Sequence, residues 1–147
     1  MMPVKNHRRL CVQCCLSSFL FDQGIQKTPF QIVCEQSLYC SVGRLDAEGV
    51  IDNSILPALC LALGINLQQL PSDYTIQKSD EDGSLLIGLK WREGGKDNRH
   101  MVRFDRFGDN PDSIGIMDPD DCDREYTWRA ISWFEGKTVT FYRIRLL

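Results

Sequence analysis

The sequence predicts an α+β fold with its helices first and an antiparallel sheet after them. Two observations carry this. Hydrophobic spacing changes at about residue 66, from helical before it to strand-like after it. The later apolar runs are separated by short turn-forming stretches, GGKDN and DNPD. A length of 147 residues fits one domain, with a helical half over about 1–65 and a sheet half over about 66–147. A chain of that size buries a core without needing staples.

The first helix is expected from about Cys11 to Asp22. Leu16, Phe19, Leu20 and Gln23 stand at helical spacing there, and Gly24 supplies a stop. A second starts at TPFQ, where Thr28 is a capping residue and Pro29 fits the first helical position, and runs to about Tyr39. SVGRLDAEG is a connector. A third, about Asn53 to Leu63, puts Leu56, Leu59, Cys60 and Leu63 on one face and stops at Gly64. Its Pro57 must lie in the first turn, or the helix kinks.

In the second half, SLLIGLKWRE reads as a strand and GGKDN as a turn. RHMVRFDRFG alternates His100, Val102 and Phe104 against Met101, Arg103 and Asp105. SIGIMDP is a short strand ended by Pro119. TWRAISWF suggests a short helix capped near Thr127, and KTVTFYRIRLL is a closing strand containing Val139, Phe141 and Tyr142.

Composition narrows the function classes. A net charge of −3 provides no basic field for nucleic acid, and the cluster Lys5, His7, Arg8 and Arg9 reads as a solvated segment. No apolar run approaches the ~18 residues a spanning helix needs, so no membrane partner is expected. The segment MMPVKNHRRLC lacks the apolar core of a signal peptide, so the expected location is the cytoplasm of the producing cell, with export by a signal-less route left open. Seven cysteines, an odd number, argue against a disulfide scaffold and for reduced thiols. Cys34 and Cys60 read as small core residues.

Three residues point to chemistry. Cys11 opens the first helix, where unpaired backbone N–H groups and the helix dipole favour a thiolate. His100 stands near the start of a strand and Asp118 just after the next one. A hairpin returns the chain to its starting end, so it would bring Asp118 beside His100. Thiolate, imidazole and an orienting carboxylate form the working set of a nucleophilic cysteine enzyme.

The stretches CVQCCLSSFLFDQG, NRHMVRF, SIGIMDP and ISWFEGKTVTFYRI, in that order, resemble the bacteriocin-processing (double-glycine leader) peptidases within the papain-like cysteine peptidase superfamily. The resemblance spans nearly the whole chain. It implies a papain-like fold, with Cys11 as nucleophile, His100 as base and Asp118, followed by Pro119, as the orienting carboxylate. Two positions depart from the family pattern. Val12 follows the cysteine where the family has Gly. Lys5 takes the place of a Gln whose amide helps bind the oxyanion, and Asn6 beside it offers the same amide on a shorter arm. A divergent bacterial or phage effector-type peptidase fits as well as a leader peptidase.

Competing readings are weaker. Cys11-x2-Cys14, joined by His7, lacks the fourth ligand of a zinc site. The acidic run Asp118 to Asp123 lacks the Gly and closing Glu of a calcium loop. Cys14 and Cys15 read as packing residues, with Cys14 a decoy nucleophile, and Trp91, Trp128 and Trp133 as core or groove wall. The expectation is a cysteine peptidase acting on a peptide or isopeptide bond without a cofactor, through Cys11, His100 and Asp118, with Asn6 at the oxyanion. Acyl transfer by the same residues, a papain-like binding module without catalysis, and a zinc-stabilised interaction module are the alternatives.

Overall fold

The computed structural model describes residues 1–4, 10–39, 56–121 and 127–147. Three α-helices come first, α1 (Cys11–Asp22), α2 (Pro29–Tyr39) and α3 (Leu56–Ala62). Six strands follow: β1 (Ile65–Gln69), β2 (Leu85–Glu93), β3 (Lys96–Phe107), β4 (Ser113–Met117), β5 (Thr127–Ala130) and β6 (Thr138–Leu146). They form one antiparallel sheet in the order β1-β6-β2-β3-β4-β5. Short 3₁₀ turns cover Lys78–Asp82 and Ile131–Phe134. The α+β expectation is borne out.

Local chemistry accounts for the boundaries. At α2, Thr28 Oγ1 accepts from Gln31 N at 3.3 Å and Gln31 Oε1 accepts from Thr28 N at 2.8 Å, a reciprocal cap. Pro57 is the second residue of α3 as described, inside the first turn, where its missing N–H costs nothing; positions 53–55 of the expected helix lie outside the described residues. The β2–β3 hairpin pairs Glu93 with Lys96 around Gly94 and Gly95, both at positive φ (59° and 76°). Two left-handed residues make the turn whose twist matches the strands, and only glycine takes both cheaply.

Two sequence expectations need correction. TWRAISWF is not a helix: Thr127–Ala130 is a strand paired with β4, and only Ile131–Phe134 coils, as a 3₁₀ turn. Pairing with an available sheet edge outweighs local propensity there. Cys34 is exposed, not core, whereas Cys60 is buried; helix α2 turns Ile32 inward instead. INLQQ, which the sequence reading assigned to no element, forms edge strand β1 against β6.

Both sheet faces are covered. On one, Leu86, Met101, Met117, Tyr142 and Ile144 pack with Cys15, Leu16, Phe19 and Leu20 of α1 and with α3. On the other, Leu85, Ile87, Leu89, Val102, Phe104, Ile114 and Ile116 are sealed by Tyr74 and Ile76 and by Trp133 and Phe134. The alternation in β3 therefore separates two buried faces, and even Arg103 is 1% exposed.

That buried arginine ties the layers together. Its Nε donates to Gly83 O (2.8 Å), and Nη1 donates to Ser18 Oγ (3.0 Å) and pairs with Asp22 Oδ2 (2.5 Å). The guanidinium also lies 5.4 Å from the Phe19 ring centroid. Asp22 Oδ1 in turn accepts from Met2 N at 2.8 Å, and Ser18 Oγ donates to Met2 O. A planar charged fork meeting this many acceptors offsets its desolvation. The result fixes α1 against β3, the two elements that carry Cys11 and His100.

Candidate active site

Cys11 is the first residue of α1. Leu10 before it has no side chain able to cap, so the first-turn N–H groups are not satisfied from that residue. The helix turns Cys14 and Cys15 into the interior and leaves Cys11 half-buried. Cys15 is held further by a contact to Met101 O at 3.4 Å, which pins this part of α1 to β3.

His100 lies on β3 before the β3–β4 ladder, whose final pair is Arg103 with Met117. Asp118 follows at once, and Pro119 after it has no N–H with which to continue a ladder. The chain turns there, with Asp121 N donating to Asp118 O at 3.0 Å. His100 Nε2 and Asp118 Oδ1 meet at 2.6 Å, both side chains largely shielded from water. The Cys11 thiol lies close enough to the same imidazole to help hold its proton. The structure thus brings together Cys11, His100 and Asp118 from three elements. Asn6, the expected oxyanion residue, lies outside the described residues.

Burial disfavours the charged imidazole, but the hydrogen bond it donates to Asp118, the Cys11 thiol beside it and the charges of both outweigh it, raising His100 from 6.5 to about 10. Burial likewise works against ionised Asp118. The bond from His100 and its charge, Asp120 N and Arg129 prevail and lower its pKa. The site is therefore an imidazolium–carboxylate pair at neutral pH. Burial pushes the Cys15 thiol well up and the Cys60 thiol to about 12.

Two neighbours escaped sequence reasoning. Arg129 Nη2 reaches Asp118 Oδ2 at 3.4 Å and Asp121 Oδ2 at 3.3 Å, while its guanidinium lies 5.2 Å from the Trp133 ring centroid. It holds the carboxylate oxygen that His100 does not use. Reading 127–134 as a helix concealed this, since only the strand pairing Ile114 with Arg129 aims the side chain there. Asp120 N donates to Asp118 Oδ1 at 3.0 Å, and Asp120 Oδ2 stands 3.6 Å from His100 Nδ1. The acidic run was visible, but nothing in it told which carboxylate faces which ring nitrogen.

No family model and no curated protein matches the chain. Among solved structures, the peptidase domain of Streptococcus ComA, a bifunctional ABC transporter involved in a quorum-sensing pathway, superposes with a TM-score of 0.67. The match covers 99% of this chain and 98% of that one. The chain has the α+β fold of that peptidase domain. The family resemblance read in the sequence is thereby borne out at the level of fold. Sequence identity is 13%, so what this domain does must be argued from its own side chains.

Proposed function

We propose that the protein is a cysteine peptidase in which Cys11, His100 and Asp118 form the catalytic triad. The convergence of these three side chains at one half-buried point carries the reading. Cys11 sulfur attacks the carbonyl carbon of a peptide or isopeptide bond, forming a C–S bond. The carbonyl oxygen becomes an oxyanion, held by the Cys11 backbone N–H and by Asn6. Collapse breaks the C–N bond, and the His100 imidazolium gives its proton to the leaving amine. Neutral His100 then takes a proton from water, which attacks the thioester and releases the acid. Asp118 holds the ring throughout, with Arg129 steadying its second oxygen.

The chemistry needs no cofactor, and an amine acceptor in place of water would make the same machinery an acyl transferase. One specific observation favours a second reading, a papain-like binding module without catalysis. Lys5 and Val12 stand where the resembled family has its oxyanion Gln and its Gly. Loss of one oxyanion donor costs ~10²–10³ in rate. A peptide-based acyl electrophile separates the two. A covalent thioether or thioester adduct on Cys11, abolished in Cys11→Ser and His100→Ala, supports the peptidase; no adduct in a folded protein supports the binding module.

A further inference from the structure

Cys11 and Cys14 share the first turn of α1, and both are thiols in this structure. The turn is closed, with Cys14 N donating to Leu10 O at 2.8 Å. Residues three apart on a helix have Cα atoms about 5 Å apart, inside the ~4.4–6.8 Å that a disulfide spans. Their Cβ atoms stand ~5–6 Å apart in a regular helix and must close to ~4 Å. A helix end allows that movement more cheaply than a helix interior. Leu10 is already non-helical (φ −105°, ψ 38°), and the first N–H groups of a helix have no intrahelical acceptor to lose.

The two thiols differ in access. Cys11 is half-buried and open to a reagent in solution, whereas Cys14 is 1% exposed and packed with Val4 and Leu10. One sulfur can be attacked from outside, and the other can react only with a neighbour. Cys15 is the competing neighbour, one residue on. Its sulfur is turned to Met101 O on β3 at 3.4 Å, within the core between α1 and the sheet.

We propose that Cys11 and Cys14 form a redox-modification site that closes to a reversible disulfide on meeting a low-molecular-weight disulfide of the glutathione class. The Cys11 thiolate attacks one sulfur of the reagent, whose S–S bond breaks and releases one thiol. Cys14 then gives up its proton and attacks the Cys11 sulfur, which breaks the mixed disulfide and releases the second thiol. The protein loses two electrons and two protons, and the reagent gains both as two thiols. The helix N-terminus stabilises the Cys11 thiolate as a leaving group, so the bond is also readily reduced. The disulfide removes the nucleophile of the proposed reaction and so switches it off reversibly. That consequence rests on the peptidase reading; formation of the bond does not.

The test equilibrates the purified full chain with glutathione and its disulfide at several ratios. Remaining thiols are blocked with iodoacetamide in denaturant, and peptide fragmentation locates each blocked position. In the oxidised buffer the expected result is loss of blocking at Cys11 and Cys14 together, no retained glutathione, and full blocking of Cys15. Excess reduced glutathione restores blocking at both. Cys14→Ala should stop at a mixed disulfide on Cys11, while Cys15→Ala should still close the Cys11–Cys14 bond. A wild-type chain that keeps glutathione on Cys11, joins Cys11 to any cysteine but Cys14, or leaves both open to blocking at every ratio overturns the site. The wild-type map decides by itself if a variant fails to fold. A reduced protein that forms no adduct with the acyl electrophile would defeat the peptidase reading yet leave this map readable.

Discussion

His100 is the residue on which the site turns, and its environment has a consequence for stability. Its folded value of about 10 lies above the ordinary 6.5, so the folded state holds a proton that the unfolded state releases between them. The stabilisation is complete below about pH 6.5 and is lost as pH rises toward 10. Urea midpoints across that range should fall for the wild type and fall less for His100→Gln; parallel curves would contradict the assignment. Cysteine chemistry separates similarly by environment. Among the described thiols, Cys11 and Cys34 reach solvent, whereas Cys14, Cys15 and Cys60 are buried. Brief alkylation of native protein followed by peptide mapping should modify the first two and spare the others until urea is added. The three central residues were legible in the sequence because Cys11 opens a helix and a hairpin must return near its start. Arg129 and Asp120 were not, because their roles depend on strand register rather than on residue type.

At the scale of elements, the buried fork of Arg103 is what holds the cysteine helix to the histidine strand. Removing it leaves Ser18, Asp22 and the Gly83 carbonyl without a common partner. Arg103→Met should cost about 3 kcal/mol in urea unfolding, in the range for breaking one side of a buried ionic contact. A loss under ~0.5 kcal/mol would show the fork to be incidental. Gly83 is its backbone counterpart. It adopts φ +83°, and a Cβ there would come within 2.7 Å of Arg103 Nη2. Gly83→Ala should therefore destabilise by about 2 kcal/mol through strain and displacement of the fork. Helix α1 was readable because apolar spacing, a stop glycine and length agree. The burial of Arg103 was not legible because alternation tells which residues share a face and not what covers it. Strand β5 failed for a related reason: TWRA is strand-like only beside the open edge of β4.

At the scale of the molecule, the order of elements carries the fold further than residue identity does. A TM-score of 0.67 stands beside 13% identity over nearly the full length of both chains. Such divergence is possible because packing tolerates apolar exchange so long as pattern and volume survive. It also means that chemistry cannot be inherited from shape. Helix-first, sheet-second architecture brings the start of α1 to the place where β3 outruns β4, and there the three side chains meet. The most direct test is the rate of iodoacetamide labelling at each cysteine across pH, on the wild type and on His100→Ala. If Cys11 and His100 work as a pair, Cys11 labels selectively and faster than exposed Cys34 at neutral pH, and His100→Ala removes that advantage. If Cys11 labels no faster than Cys34 in either protein, the pair is not a catalytic one, and the fold serves binding instead.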